Sequence, residues 1–214
     1  MTVISRGWTG EAFKVSWSKY RGIDLPSWSG ITGPADIDAN TSARGRMAHA
    51  LILEPHTVAA DFSVMDGLQE ATTSGGVTFI PQKIADEARA MAKHGRGLIS
   101  QAPGLWHAEL ALVAEAWGGW GKGLADLFLP DEGLLVDVKT DMGFFGQDSR
   151  SRINEKWKGQ TGWYLHALRQ AGLPANELAI LLCGRSRAEL VYMDVNECLE
   201  VAEHTWKEHW HGQA

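Results

Sequence analysis

The segment Leu134-Leu135-Val136-Asp137-Val138-Lys139-Thr140 places two charges in an otherwise apolar, strand-like run. Side chains alternate along a strand, so Asp137 and Lys139 share one face while Val136 and Val138 take the other. Burying such a pair is costly unless the charges are matched or bind a metal. Eleven positions before Asp137, Asp126 interrupts a second apolar run, Leu124-Ala125-Asp126-Leu127-Phe128. A hairpin through Pro130-Asp131-Glu132-Gly133 would bring Asp126 beside Asp137. Two neighbouring carboxylates repel unless a cation lies between them, and hard oxygen donors suit Mg²⁺, with Mn²⁺ as a substitute. Two carboxylates holding a divalent ion, with a lysine beside them, are equipped to activate a water and to stabilise developing negative charge. Asp-x-Lys alone is common and reads equally as an exposed ion pair; the second aspartate across the hairpin is what favours a metal site.

The elements that must position these residues follow from pattern and punctuation. Ser42 to Leu53 reads as a helix, stopped by Glu54-Pro55. Ala71 to Val77 reads as a loop. Pro81 suits the first turn of a helix running to about Ser100, with Ile84, Ala88, Met91 and Ala92 on one face. Glu109 to Trp117, Lys122 to Leu129 and Leu134 to Thr140 read as three strands, the first two separated by a turn at Gly118-Gly119-Trp120-Gly121. A helix is expected over Arg150 to Ala171, strands over Glu177 to Cys183 and Glu189 to Asp194, and a last helix capped by Asn196 and running to about Trp210. This order predicts an α/β fold with a central mixed sheet flanked by helices. No Gly-rich phosphate loop accompanies it. Residues 1–40, rich in Gly, Ser, Pro and Trp, read as an irregular or helical N-terminal extension to a domain over 41–214, the whole forming one compact domain.

Composition narrows the possibilities. A chain of 214 residues with 44% hydrophobic content can bury a sizeable core. No signal-like or membrane-spanning run is evident, so no membrane partner is expected. The two cysteines, Cys183 and Cys198, are too few for a disulfide framework or an iron–sulfur site, and a reducing cytoplasm is the simplest compartment. The net charge of −6 argues against a simple nucleic-acid binder, although carboxylates gathered at a metal site weaken that objection. Of the ten tryptophans, most are expected in the core; Trp120, Trp157 and Trp163 lie near enough to the candidate residues to stack on bases. His56, His94, His166, His204, His209 and His211 suggest a metal cluster only by number and read better as surface histidines.

The succession Gly123-Leu124-Ala125-Asp126, Val136-Asp137-Val138-Lys139-Thr140 and, in the following helix, Gln160-x-x-x-Tyr164 resembles the RecB-like branch of the PD-(D/E)XK nucleases, with their restriction-endonuclease-like core. Gln160 and Tyr164 are four apart and share a helical face. Upstream, Gly45-Arg46-Met47-Ala48-His49-Ala50-Leu51-Ile52-Leu53-Glu54-Pro55 resembles the G-x-x-x-H-x-x-x-L-E-P segment of the RecE-type exonucleases of phages and prophages (exodeoxyribonuclease VIII type). His107-Ala108-Glu109 resembles the H-A-E opening of their first core strand. The likeness covers roughly residues 42–194.

The resemblance implies roles. Asp126, Asp137 and the Val138 carbonyl would hold the catalytic Mg²⁺, with Glu109 and His49 at its other side. Lys139 would orient the attacking water and stabilise charge on the phosphate, Gln160 would position Lys139 or the water, and Tyr164 would support the helix. Residue by residue, duller readings stand beside these: His49 as a core histidine, Glu109 as a strand-edge carboxylate, Gln160 and Tyr164 as ordinary helix positions. Arg44, Arg46, Lys122, Arg150, Arg152, Lys156 and Lys158 are candidate DNA-phosphate contacts, the last four reading equally as a solvated helix face. The resemblance further implies 5′-to-3′ exonuclease action on double-stranded DNA ends, a single-strand-annealing partner in recombination, and a homo-oligomer. Other readings are a repair or structure-specific endonuclease of another branch, and a non-catalytic DNA-binding relative.

Overall fold

A computed structural model describes residues 2–5, 22–32, 37–102, 104, 106–141 and 153–211. Its centre is a six-stranded sheet of β1 (Thr2–Ser5), β5 (His107–Ala116), β6 (Gly119–Leu129), β7 (Leu134–Thr140), β8 (Glu177–Cys183) and β9 (Ala188–Tyr192), in that spatial order. All neighbours are antiparallel except β7 and β8, which run parallel. Parallel neighbours need a crossover, and helix α5 (Glu155–Gln170) supplies it. A smaller sheet joins β2 (Phe62–Met65), β4 (Val77–Pro81) and β3 (Thr72–Ser74).

Helices cover both faces of the main sheet, because both faces of its central strands are apolar. On one side α2 (Ala39–Leu53) and α4 (Gln82–Ile99) bury Met47, Ala48, Ile52, Ala88 and Met91 against Leu127, Val136, Val138 and Leu181. On the other, α5 and α6 (Val195–His211) bury Trp163, Leu165, Leu168 and Trp206 against Leu112, Ala125, Phe128 and Leu135. Asp38 starts α2 by accepting a hydrogen bond from the Thr41 N–H at 2.9 Å. Pro55, just beyond, ends it. On β6, a Cβ on Gly121 would stand 2.2 Å from the Trp206 ring and one on Gly123 2.5 Å from that of Tyr164, so the bare backbone is what lets these rings lie on the sheet.

Two described pieces of the first forty residues contact the rest of the fold. Thr2–Ser5 is an edge strand paired with Ser5↔Leu110 through Thr2↔Val113. Trp28, in the short helix α1 (Trp28–Thr32), is buried, stacks 6.4 Å from Trp206 and donates its indole N–H to the Lys156 carbonyl at 3.1 Å. The short helix α3 (Val58–Asp61) leads into β2.

Several boundaries differ from the sequence expectation, each for a local reason. The β5–β6 turn is Trp117-Gly118, both at positive φ (45° and 93°), a tight two-residue hairpin turn; Gly119, Trp120 and Gly121 already belong to β6. Ala71 to Val77 is no loop but contains β3 and a Gly75-Gly76 hairpin tip. Helix α5 begins after Asn154, whose side chain caps the Trp157 N–H, rather than at Arg150. Asp194, not Asn196, caps α6 by accepting from the Glu197 N–H at 2.9 Å. Among the described residues no helix is long and apolar enough to cross a membrane.

Candidate active site

The site forms where β6 and β7 stop pairing. Their ladder runs from Leu129↔Leu134 to Leu127↔Val136 and ends there. The β5–β6 ladder also skips one position, the one at which Glu109 would face Asp126. Glu109 has φ 55°, in the left-handed region that a non-glycine residue enters at a cost. The skip reverses the faces of both strands. Leu127 and Ala108 pack towards α2 and α4, whereas Ala125 and Leu110, two residues away, pack towards α5 and α6. A local kink of this kind re-aims side chains, and here it presents two carboxylates to α2.

Opposite them stands His49 of α2. Its Nε2 lies 3.1 Å from Asp126 Oδ1 and its Nδ1 lies 3.5 Å from Glu109 Oε1. These three side chains offer one ligand atom each, all within 4.8 Å of one another. The other Asp126 oxygen accepts the Val138 N–H at 2.7 Å, replacing the strand carbonyl that β6 no longer supplies. Asp137 is fully buried and ion-paired to Lys139, and its Oδ1 has no hydrogen-bond partner. Lys139 also donates to Gln160 Oε1 at 3.1 Å, and Gln160 Nε2 donates to the Tyr164 hydroxyl at 2.9 Å. The cluster is thus gripped from both faces of the sheet, by α2 through His49 and by α5 through Gln160.

The electrostatics follow from five titratable groups, His49, Glu109, Asp126, Asp137 and Lys139, sharing a small space. Burial works to lower the His49 pKa, but the adjacent Asp126 carboxylate, then Glu109, outweigh it and hold it up at about 9. Burial opposes the charge on Asp126 as well, yet His49, Lys139 and the Val138 N–H keep its carboxyl below the usual carboxylate range. For Asp137 burial prevails: despite Lys139 its carboxyl lies above that range, with the Asp126 charge adding to the rise. Lys139 is raised, because Asp137 and Asp126 overcome its own desolvation.

These residues fit a divalent cation. Two buried carboxylates near one another, a third oxygen donor from Glu109 and an unsatisfied Asp137 oxygen form an acceptor-rich site short of positive charge. Asp137 lies outside the three-residue group, and the Val138 atom seen to engage the site is its N–H.

The site opens into a cleft of about 550 Å³ lined by His49, Glu109, Lys139, Arg46, Glu54 and Asp61, among others. The lining adds Glu54, Thr57 and Asp61 to the expected site residues; Glu54 belongs to the motif segment, but no spacing signal marks Thr57 or Asp61. Of the candidate DNA contacts, Arg46 lines the cleft. Arg44 does not: two residues earlier, it is buried and ion-paired to Glu87 at 3.2 Å. Lys122 reaches the Ile23 carbonyl on another part of the sheet, and Lys158 is paired with Glu155 and Glu197. Lys156 is half-buried in the first turn of α5, away from the cleft lining. Arg150 and Arg152 lie outside the described residues. Trp163 is core, Trp157 packs beside Ile180 and Leu182, and Trp120 is exposed at the hairpin end.

No protein-family model and no curated protein matches the chain. Among solved structures, a putative exonuclease from Eubacterium rectale matches with a TM-score of 0.53 and 14% identity, over 85% of this chain and 71% of that one. At that identity the likeness is one of fold: a central mixed sheet flanked by helices, the α/β architecture expected from the sequence.

Proposed function

We propose that the chain is a divalent-metal-dependent deoxyribonuclease, and specifically a RecE-like exonuclease acting 5′-to-3′ on double-stranded DNA ends. The observation that carries the nuclease reading is the meeting of Asp126, Asp137, Lys139, Glu109 and His49, drawn from four separate elements, beneath an open cleft that His49, Glu109 and Lys139 line. The solved structure of similar fold adds to it. The exonuclease type, its polarity and its duplex substrate rest on the sequence resemblance.

In this reading Asp126, Glu109 and His49 would hold the ion, with the buried Asp137 beside them as a further oxygen donor. The ion, Mg²⁺ or Mn²⁺, supplies Lewis acidity at the phosphoryl oxygen and a more acidic water. Lys139 brings a cation to the phosphate oxygen on which charge develops. Gln160 holds the ammonium in place, and Tyr164 holds Gln160. His49 must be neutral to act as a ligand. The cleft admits a phosphodiester backbone while Asp137 stays away from bulk water.

The test is degradation of linear duplex DNA with Mg²⁺ or Mn²⁺. Wild type is expected to consume it and Asp137→Ala, with an unchanged circular dichroism spectrum, to leave it intact; undiminished activity of the variant overturns the assignment. End-labelled duplexes read polarity, and covalently closed circles should survive. Nicking of circles at a comparable rate identifies an endonuclease of another branch instead. The recombination setting, an annealing partner, a homo-oligomer and a cytoplasmic location belong to the same proposal.

A further inference from the structure

Most cations at the cleft have a carboxylate partner, His49 lying against Asp126 and Glu109. Besides Glu109, the lining includes Glu54 and Asp61, and the Lys139 charge is already matched by Asp137. Arg46 is the exception. Its guanidinium is held by neutral groups: Nη2 donates to the Thr78 hydroxyl at 2.7 Å, and the Phe62 ring lies 5.7 Å beneath it. No carboxylate pairs with it among the described residues, whereas Arg44, two residues earlier, is neutralised by Glu87.

Arg46 also lines a second cavity. This one, of about 330 Å³, is bounded by Ser42 of α2, Thr72 and Thr73 of β3 and Thr78 of β4. Thr78 is buried, at 2% exposure, with its hydroxyl 3.2 Å from that of Thr73. Its lining, as described, is hydroxyl-bearing or apolar apart from Arg46, with no acidic side chain. The β3–β4 hairpin belongs to both cavities, since Gly76 at its tip borders the catalytic cleft.

We propose that Arg46, with the hydroxyls of Ser42, Thr73 and Thr78, forms a phosphate-binding subsite beside the catalytic cleft, taking a second phosphate of the strand that is cut. The inference rests on the nuclease reading for the identity of the ligand. A fixed guanidinium with adjacent hydroxyl donors is the geometry that phosphate oxygens need, and a planar fork can grip two of them. Arg46 and His49 are three residues apart on α2, which sets them on neighbouring positions of one helix face, about 5–6 Å apart at Cβ. That spacing matches one to two nucleotides at about 3.4 Å of rise each. Occupying the subsite would therefore fix the register of the strand over Asp126 and Lys139. The phosphate is either a terminal monoester or an internal diester; the chemistry of the subsite is the same for both.

The experiment is fluorescence anisotropy with a short labelled duplex, 5′-phosphorylated or 5′-hydroxyl, bound to the full chain carrying Asp137→Asn so that it is not degraded. In that background Arg46→Ala should raise Kd about 10- to 100-fold, as loss of a charged hydrogen-bonding group does, and reduce the slope of log Kd against log salt by about 0.9. Arg46→Lys should recover only part of the affinity. Arg89→Ala, an exposed cation on α4, should change Kd by no more than about twofold. A loss confined to the 5′-phosphorylated duplex assigns the subsite to the terminal phosphate, and an equal loss on both assigns it to an internal one. Arg46→Ala with Kd and salt slope within about twofold of its parent overturns the subsite. Should Arg46→Ala fail to fold, Thr73→Val decides the matter: several-fold weaker binding supports the subsite and unchanged binding overturns it. Wild-type protein that binds DNA through Arg46 but cleaves none with any divalent ion sinks the nuclease reading and leaves the subsite standing.

Discussion

The Asp126 carboxylate accepts the Val138 backbone N–H at 2.7 Å, across the point where β6 and β7 cease to pair. A side chain thus completes a ladder that the backbone leaves open, and its second oxygen is turned to His49. One residue holds the parted strands in register and contributes a prospective metal ligand.

That double role separates two substitutions. Asp126→Ala leaves the buried Val138 N–H unsatisfied and should destabilise the fold by about 1–3 kcal/mol. Asp126→Asn keeps an acceptor oxygen for that N–H and, although both variants lose the charge facing His49, should be the more stable of the two by about 1–3 kcal/mol. Both should bind Mn²⁺ much more weakly. Urea midpoints with and without Mn²⁺ check this; equal midpoints for the two variants would contradict the bridging role.

The raised pKa of His49 gives a pH dependence with a definite sign. In metal-free protein this imidazole titrates at about 9, against an ordinary 6.5, so the folded state holds the proton more tightly than the unfolded chain. Its stabilising contribution is fully present below about 6.5 and is lost as pH rises through about 9. In EDTA, the advantage of wild type over His49→Gln in urea midpoint should shrink steadily across that window. An advantage that grows with pH would reverse the assignment.

A metal ion must displace the same proton. Binding of Mn²⁺ at pH 7.5 should release about one proton per ion, read by titration calorimetry in buffers of different ionisation enthalpy. His49→Gln should lower that release towards zero. Unchanged release in the variant would place the proton elsewhere.

Gln160 touches Lys139 and Tyr164 but none of the three grouped prospective ligands. Gln160→Ala should therefore lower kcat by about 10- to 100-fold, as small misplacements of a reacting group do, with Mn²⁺ affinity unchanged. A parallel fall in metal affinity would show that Gln160 acts on the ligands instead.

Trp28 tests how far the N-terminal region is part of the folded unit. It is 2% exposed and stacks on Trp206. Trp28→Ala should cost about 3–5 kcal/mol of stability, measured by chemical denaturation. A loss under about 1 kcal/mol would mark the segment as a detachable appendage.

What was legible in the sequence tracks how local the cause was. Strand β7 was placed residue for residue, because Leu134 to Thr140 follows a turn and is apolar but for its two charges. Asp126, Asp137 and Lys139 were legible as charges out of place in apolar strands. His49 and Glu109 were legible only through the resemblance. What turns Glu109 towards His49 is a positive φ and a skipped pair, which no periodicity announces. Arg44 and Arg46 look alike in sequence, and only packing separates them: Glu87, 43 residues further on, neutralises one and leaves the other. The edge strand Thr2–Ser5 was missed because four residues carry too little pattern to read.

The bare stretch of β6 under Trp206 and Tyr164 reaches beyond packing. Because no side chain rises from Gly121 or Gly123, α5 can settle deep enough for a residue as short as glutamine to span from helix to Lys139. The tolerance of the reaction to misplacement is thereby written into a seam of missing methyl groups on the next strand. An alanine there, invisible to any inventory of the active site, would act as a spacer under the helix and detune the lysine from a distance.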